Sequence, residues 1–103
     1  MLVMAYIPCP SKKHAESIGK KLVEEKLVAC ANVLSPVATT YTWNRKTEHK
    51  KEALLICKTL KQKMPAVEKR VKQLHPYDVP CIAFYNAEGV NAEYLKWVES
   101  VVS

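Results

Sequence analysis

The sequence predicts an α+β sandwich of the split β-α-β kind with one extra C-terminal helix, and three observations carry that prediction. Four short runs of strand propensity interleave with three stretches of helical spacing, in the order β-α-β-β-α-β-α. The second and third strands are joined by the turn-like NRK, which makes them a hairpin. A chain of 103 residues and 11.7 kDa, 49% hydrophobic, supports one core and not two, so residues 1–103 read as a single domain.

The elements follow in order. LVMAYI, Leu2 to Ile7, is a first strand broken by PCPS. Ser11 then N-caps a helix running to about Leu27, with Ala15, Ile18, Leu22 and Val23 inward and Lys12, Lys13, Glu16, Lys20 and Lys21 toward water. VACANV opens a second strand. Pro36 has no amide to give a ladder, which implies a bulge or bend at LSP. The strand resumes as VATTYTW, with Val37, Thr39, Tyr41 and Trp43 on one face and Thr40 and Thr42 on the other.

The third strand spans about Thr47 to Thr59 around the apolar EALLIC. Such a strand rises about 40 Å, against about 26 Å for the width of a domain this size, so part of the hairpin must project or be covered. Tyr41 and Trp43 at its far end would be apolar groups on an exposed edge, an argument for self-association. KQKMPAVEKRVKQLH is the second helix, with Pro65 in its first turn and Met64, Val67, Val71 and Leu74 as its buried stripe. HPYDVP ends it, CIAFYN is a fourth strand, and Asn91 is a cap for the last helix, AEYLKWVESVV, with Glu93 near its positive end.

Composition narrows the classes of function. No apolar run approaches the length of a membrane span, and MLVMAYIPCP meets prolines at once instead of forming a signal segment, so a cytoplasmic protein is expected. Cys9, Cys30, Cys57 and Cys81 are scattered singly, without a CxxC pair, and the three in VACANV, LLICKT and PCIAFY read as reduced, buried thiols. Residues 45–75 hold ten basic and three acidic side chains, a balance of +7 within a chain of net charge +6. That block reads as the solvated face of a hairpin and helix, with weak attraction for polyanions as the other reading. Base-stacking RNA modules share this element order, but EALLICKTL lacks their strand aromatics. Two glycines, Gly19 and Gly89, leave no phosphate-cradling loop, and no G-x-S-x-G elbow is present, so no catalytic motif stands out.

HPYDVP packs an imidazole, a phenol, a carboxylate and two prolines that stiffen the backbone into six residues. His75, expected to be exposed at the helix end, is a candidate metal ligand beside Cys or carboxylate companions. It equally suits a helix C-terminus, where an imidazole interacts with the last carbonyls. Asp78 is either part of such a site or a turn former bonding nearby amides.

KLVEEKLVACANV, TYTWNRKTEHKKEALLICKT, LHPYDVPCIAFY and EYLKWV together closely resemble the divalent-cation-tolerance family, CutA, over nearly the whole chain and in the right order. The resemblance implies a ferredoxin-like protomer assembled as a tight homotrimer, similar in architecture to PII signalling proteins, with long hairpins exchanging contacts between subunits. It implies a cytoplasmic, non-enzymatic role in tolerance to copper and other divalent cations, with Cu(II) or another divalent cation bound and no organic cofactor. Carried over by position, family metal ligation falls on His75 and on Cys30. A family cysteine of the first strand falls where this chain has Ile7, and Cys9 two positions on need not replace it. The alternative implied by the same likeness is a PII-like regulator that takes a small molecule or a protein partner in clefts between subunits.

Overall fold

The computed structural model describes all residues, 1–103. Four strands, β1 (Leu2–Cys9), β2 (Cys30–Trp43), β3 (Lys46–Leu60) and β4 (Ala83–Asn86), form one antiparallel sheet in the order β2-β3-β1-β4. Helices α1 (Lys12–Glu24) and α2 (Met64–Leu74) connect them, a short 3-10 turn at Lys61–Lys63 leads into α2, and α3 (Ala92–Val101) closes the chain. This is the predicted ferredoxin-like order with its extra helix. The long axis is 45 Å against 26 and 22 Å across, so the β2–β3 hairpin does project.

Strand alternation divides the sheet into two unlike faces. Ala5, Ile7 and Cys9 of β1 and Ala53, Leu55 and Cys57 of β3 are buried against Ala15, Ile18 and Leu22 of α1 and Val67 and Val71 of α2. Each fully buried aliphatic chain there stabilises the fold by roughly 1.5–3 kcal/mol. Gly19 lets α1 lie close on the sheet, since an added Cβ would come within 2.9 Å of the Ala31 Cβ and 3.0 Å of the Leu55 Cδ1. A second cluster, Leu2, Ala29, Leu60, Val98 and Val102, seats α3 at one end of the sheet.

The Ser11 hydroxyl accepts from the His14 amide at 3.2 Å, as expected of the cap. The first helix stops at Glu24 and not at Leu27, because Lys26 turns left-handed with φ 62°. The Leu27 amide then bonds the Leu22 carbonyl and the Lys26 amide bonds that of Val23, the paired bonds of a Schellman end. Val23 lies outside the buried stripe of Ala15, Ile18, Gly19 and Leu22 and is 39% exposed.

The hairpin turns on Asn44 and Arg45, both at positive φ, the two-residue geometry that matches strand twist. The expected bulge lies between Leu34 and Val37, next to a cis Ser35–Pro36 peptide. Leu34 opposes Leu54 and Val37 opposes Glu52, so β2 spends three steps where β3 spends two. The extra residue keeps Val37, Thr39, Tyr41 and Trp43 on the same face as Cys30, Asn32 and Leu34.

The cysteine expectations need correction. Cys57 is buried and Cys30 half-buried, but Cys81 is exposed, because β4 begins only at Ala83 and leaves Cys81 in the connector. Cys9, not among the three expected inside, is buried on the helix side of β1. All four are free thiols. Burial and the nearby Glu52 charge push Cys9 up to about 11, and burial with the neighbouring thiols pushes Cys57 up to about 12, so both are inert at neutral pH.

Candidate functional site: the open sheet face and the hairpin cleft

The face of the sheet away from α1 and α2 carries the side chains that the core does not use. Its middle presents Met4, Tyr6, Leu34 and Tyr85, from 37% to 57% exposed, with the Tyr6 and Tyr85 rings edge to face at 6.3 Å. They come from β1, β2 and β4, and the register puts Met4 opposite Tyr85 and Leu34 opposite Leu54, so they form one continuous apolar field. A field of this kind on a sheet is the mark of an interaction surface.

Where the open face meets the hairpin, the connector after α2 folds back and closes one side of a cleft of about 410 Å³. Its floor is an ion pair. Glu52 is only 6% exposed, and its Oε2 accepts from the Tyr77 hydroxyl at 2.7 Å and from the Lys50 ammonium at 3.4 Å. Lys50 also donates to the Tyr77 hydroxyl at 2.8 Å and lies over two ring faces, 4.2 Å from the centroid of Tyr77 and 4.9 Å from that of Tyr41. Trp43 and Val79, 59% and 78% exposed, flank the opening with Asp78 beside them.

The charges in this floor hold each other. Burial alone would raise the Glu52 carboxyl, but hydrogen bonds from Tyr77 and Thr39 and the Lys50 charge outweigh it and leave Glu52 below the usual range. Lys50 moves up, chiefly through its bond to Tyr77, against the opposing effect of burial and with help from the Glu52 charge. Burial and the Glu52 contact raise Tyr77 above its ordinary value despite Lys50, so the phenol stays protonated.

His75 is not exposed. It is 7% accessible, and both ring nitrogens are engaged: Nε2–H donates to the Pro8 carbonyl at 2.8 Å and Nδ1 accepts from the Tyr77 amide at 3.2 Å. A carbonyl only accepts and an amide N–H only donates, so the ring is the neutral tautomer with its proton on Nε2. The imidazole thus staples the connector to the end of β1, and its ring lies 4.8 Å from that of Tyr77. No lone pair is left for a metal unless the Tyr77 amide gives it up.

Cys30 lies elsewhere. It pairs with Lys58, which pairs with Met4, four residues along β1 from Pro8 and so about 13 Å away along the strand. Its thiol lies 3.4 Å from the Tyr94 hydroxyl, under a ring that the Lys58 ammonium faces at 5.6 Å. His75 and Cys30 therefore do not meet within one chain, and no group of three His, Cys, Asp or Glu side chains converges to hold an ion. Glu52 and Lys50 escaped the sequence reading because they sit within the basic hairpin read as solvated. The available signal was parity, since Glu52 shares a face with Leu54 and Ile56.

A ferredoxin-like chain with one helix-covered sheet face, one apolar open face and a projecting hairpin defines a class of small α+β proteins. The chain belongs to the CutA1 divalent ion tolerance protein family, whose model matches residues 3–101. It is 43% identical to the divalent-cation tolerance protein CutA of Thermus thermophilus over 93 residues, 89% of each chain. With that of Pyrococcus horikoshii it shares 39% over 97 residues, 94% of each. The vertebrate relatives are longer: the match spans 55% of Protein CutA from Mus musculus at 35% identity. Among solved structures, the periplasmic divalent cation tolerance protein CutA from Archaeoglobus fulgidus superposes with a TM-score of 0.97 at 37% identity over 100% of both chains. That of Thermus thermophilus gives 0.96 at 37%, also over 100% of both.

Proposed function

We propose that the chain works as a non-enzymatic homotrimer in divalent-cation tolerance, copper being the leading cation, and that it assembles through the open sheet face. The observation that carries the assembly is the continuous field of Met4, Tyr6, Leu34 and Tyr85, and three is the count that the sequence resemblance implies. Glu52 is held down and Lys50 up, each away from the neutral range in which a general acid or base works. Four free thiols favour a reducing compartment, the cytoplasm. A cation in this reading is bound between copies or at the surface, not by a His75–Cys30 pair within one protomer.

Light scattering tests the assembly. The expected mass is about 35 kDa, three times the 11.7 kDa chain, in EDTA and after addition of Cu(II) or Zn(II). Leu34→Glu, which puts a carboxylate into the field, should drop the mass to that of the monomer with the circular dichroism spectrum preserved. A monomeric wild type, or a trimer indifferent to Leu34→Glu, sinks the proposal.

The cleft favours a second reading, a regulator that takes a small molecule. Its aromatic walls and satisfied charged floor have the make-up of a ligand pocket, and its volume falls within the range of such sites.

A further inference from the structure

We propose that the outer face of α1 and α2 docks a nucleic-acid duplex through its phosphates, without reading its sequence. The inference goes beyond the cation reading and uses only the helix-covered side of the sheet, which lies opposite the field assigned to contacts between copies.

Charge is segregated between the two sides. Residues 12–26 and 61–75, which hold α1, its end, the 3-10 turn and α2, carry ten basic and four acidic side chains, and the rest of the chain carries six of each. The whole +6 of the protein therefore sits with the two helices. Two of the four acids there are already matched within the face, Glu25 by Arg70 across the helix pair at 2.8 Å and Glu68 by Lys72 at 2.9 Å. Eight lysines stay outside any ion pair, against Glu16 and Glu24. Among them Lys13, Lys20 and Lys69 are exposed at helical positions opposite the buried stripes, where they point away from the sheet. So many like charges on one face repel each other, and a polyanion relieves that repulsion.

What the face lacks selects the polyanion. Of the exposed large apolar side chains only Val23 lies on α1 or α2, so there is no wedge for a lipid surface and no cluster of apolar anchors for a protein partner. Neither helix carries Phe, Tyr or Trp, so unpaired bases have nothing to stack on, and a duplex with its denser phosphates fits better than a single strand. The helices, of 13 and 11 residues, rise about 20 and 17 Å and are bridged side by side by the Glu25–Arg70 pair, a face that spans about six base pairs.

The test follows a fluorescein-labelled DNA duplex of about 20 base pairs by anisotropy as the intact protein is titrated in, from about 25 to 200 mM KCl. Two triple variants each remove three positive charges: Lys13→Gln, Lys20→Gln and Lys69→Gln on the helix face, and Lys46→Gln, Lys51→Gln and Lys96→Gln elsewhere. All six lysines are exposed and free of ion pairs, so both variants should keep the wild-type circular dichroism spectrum and scattering mass. The wild type should bind with log K falling linearly against log salt, and equally to a duplex of unrelated sequence. The helix-face variant should bind at least about tenfold more weakly at low salt, with a slope shallower by about three, while the other variant stays within about twofold of the wild type. No binding at the lowest salt overturns the proposal, as does an unaffected helix-face variant. Equal losses in the two variants also overturn it, because net charge and not this face would then be the cause. A preference above about tenfold between sequences removes the backbone reading. Phosphatidylserine vesicles that displace the label better than unlabelled duplex does, at equal phosphate, give the face to a membrane instead.

Discussion

Replacing His75 with alanine separates an architectural imidazole from a ligand. The ring makes two hydrogen bonds, to the Pro8 carbonyl at 2.8 Å and from the Tyr77 amide at 3.2 Å, each worth about 1 kcal/mol net. Truncation also leaves those two backbone groups without partners beside a core position, and it removes a ring packed against Tyr77. Together these predict a loss of about 3 kcal/mol, or roughly 12–20 °C in Tm for a domain of this size. Chemical denaturation at one fixed protein concentration, in EDTA, measures it, since association would otherwise move the midpoint. His75→Gln, which keeps one donor and one acceptor, should recover part of the loss. A destabilisation under about 1 kcal/mol in EDTA would refute the staple. So would a wild type that falls to the level of the variant once metal is chelated, because the stability would then belong to an ion.

Three further outcomes follow from the geometry. Lys26→Gly should stabilise by about 0.5–1 kcal/mol in thermal melts, because glycine relieves the left-handed φ at the end of α1 and returns part of the gain as unfolded-state entropy. Gly19→Ala should destabilise by about 1–3 kcal/mol on urea denaturation despite better helix propensity, since the new methyl meets Ala31 and Leu55 inside contact distance. The Glu52 carboxyl is depressed in the folded state, so the unfolded chain takes up its proton first. Its stabilisation is whole above the ordinary carboxylate value of about 4.3 and fades as pH falls through the lower folded value. Stability measured between pH 6 and 3 should therefore slope less steeply in Glu52→Gln, and an unchanged slope would contradict the ion pair.

Much of the fold was legible because local signals agreed with one another. Ser11 before a 3.6-residue period, Pro65 in a first turn and Pro36 inside a strand each have one cheap conformation, and the structure uses it. Side-chain surroundings were less legible, for reasons that differ by residue. His75 was read by its place at a helix end, where solvent is the default, but the partner that buries it is a carbonyl 67 residues earlier. Val23 fits the apolar stripe by spacing, yet the buried stripe of α1 is the narrower Ala15, Ile18, Gly19 and Leu22, which leaves Val23 at its edge. Lys50 and Glu52 look like members of a solvated charge run. Only the return of Tyr77 over the hairpin turns them into a floor, and that contact spans 25 residues from Glu52.

The single extra residue between Leu34 and Val37 makes the composition of the outer hairpin a matter of counting. With it, the cleft side shows Thr39, Tyr41 and Trp43; straightening the strand with every residue kept would present Ala38, Thr40 and Thr42 there instead, whereas deleting Ser35 or Pro36 removes the bulge and leaves Val37 opposite Glu52. The core lies on the other side of the bulge and would not register the change. The irregularity itself thus decides whether the outer hairpin shows an aromatic surface or a small polar one, on a scaffold otherwise left alone.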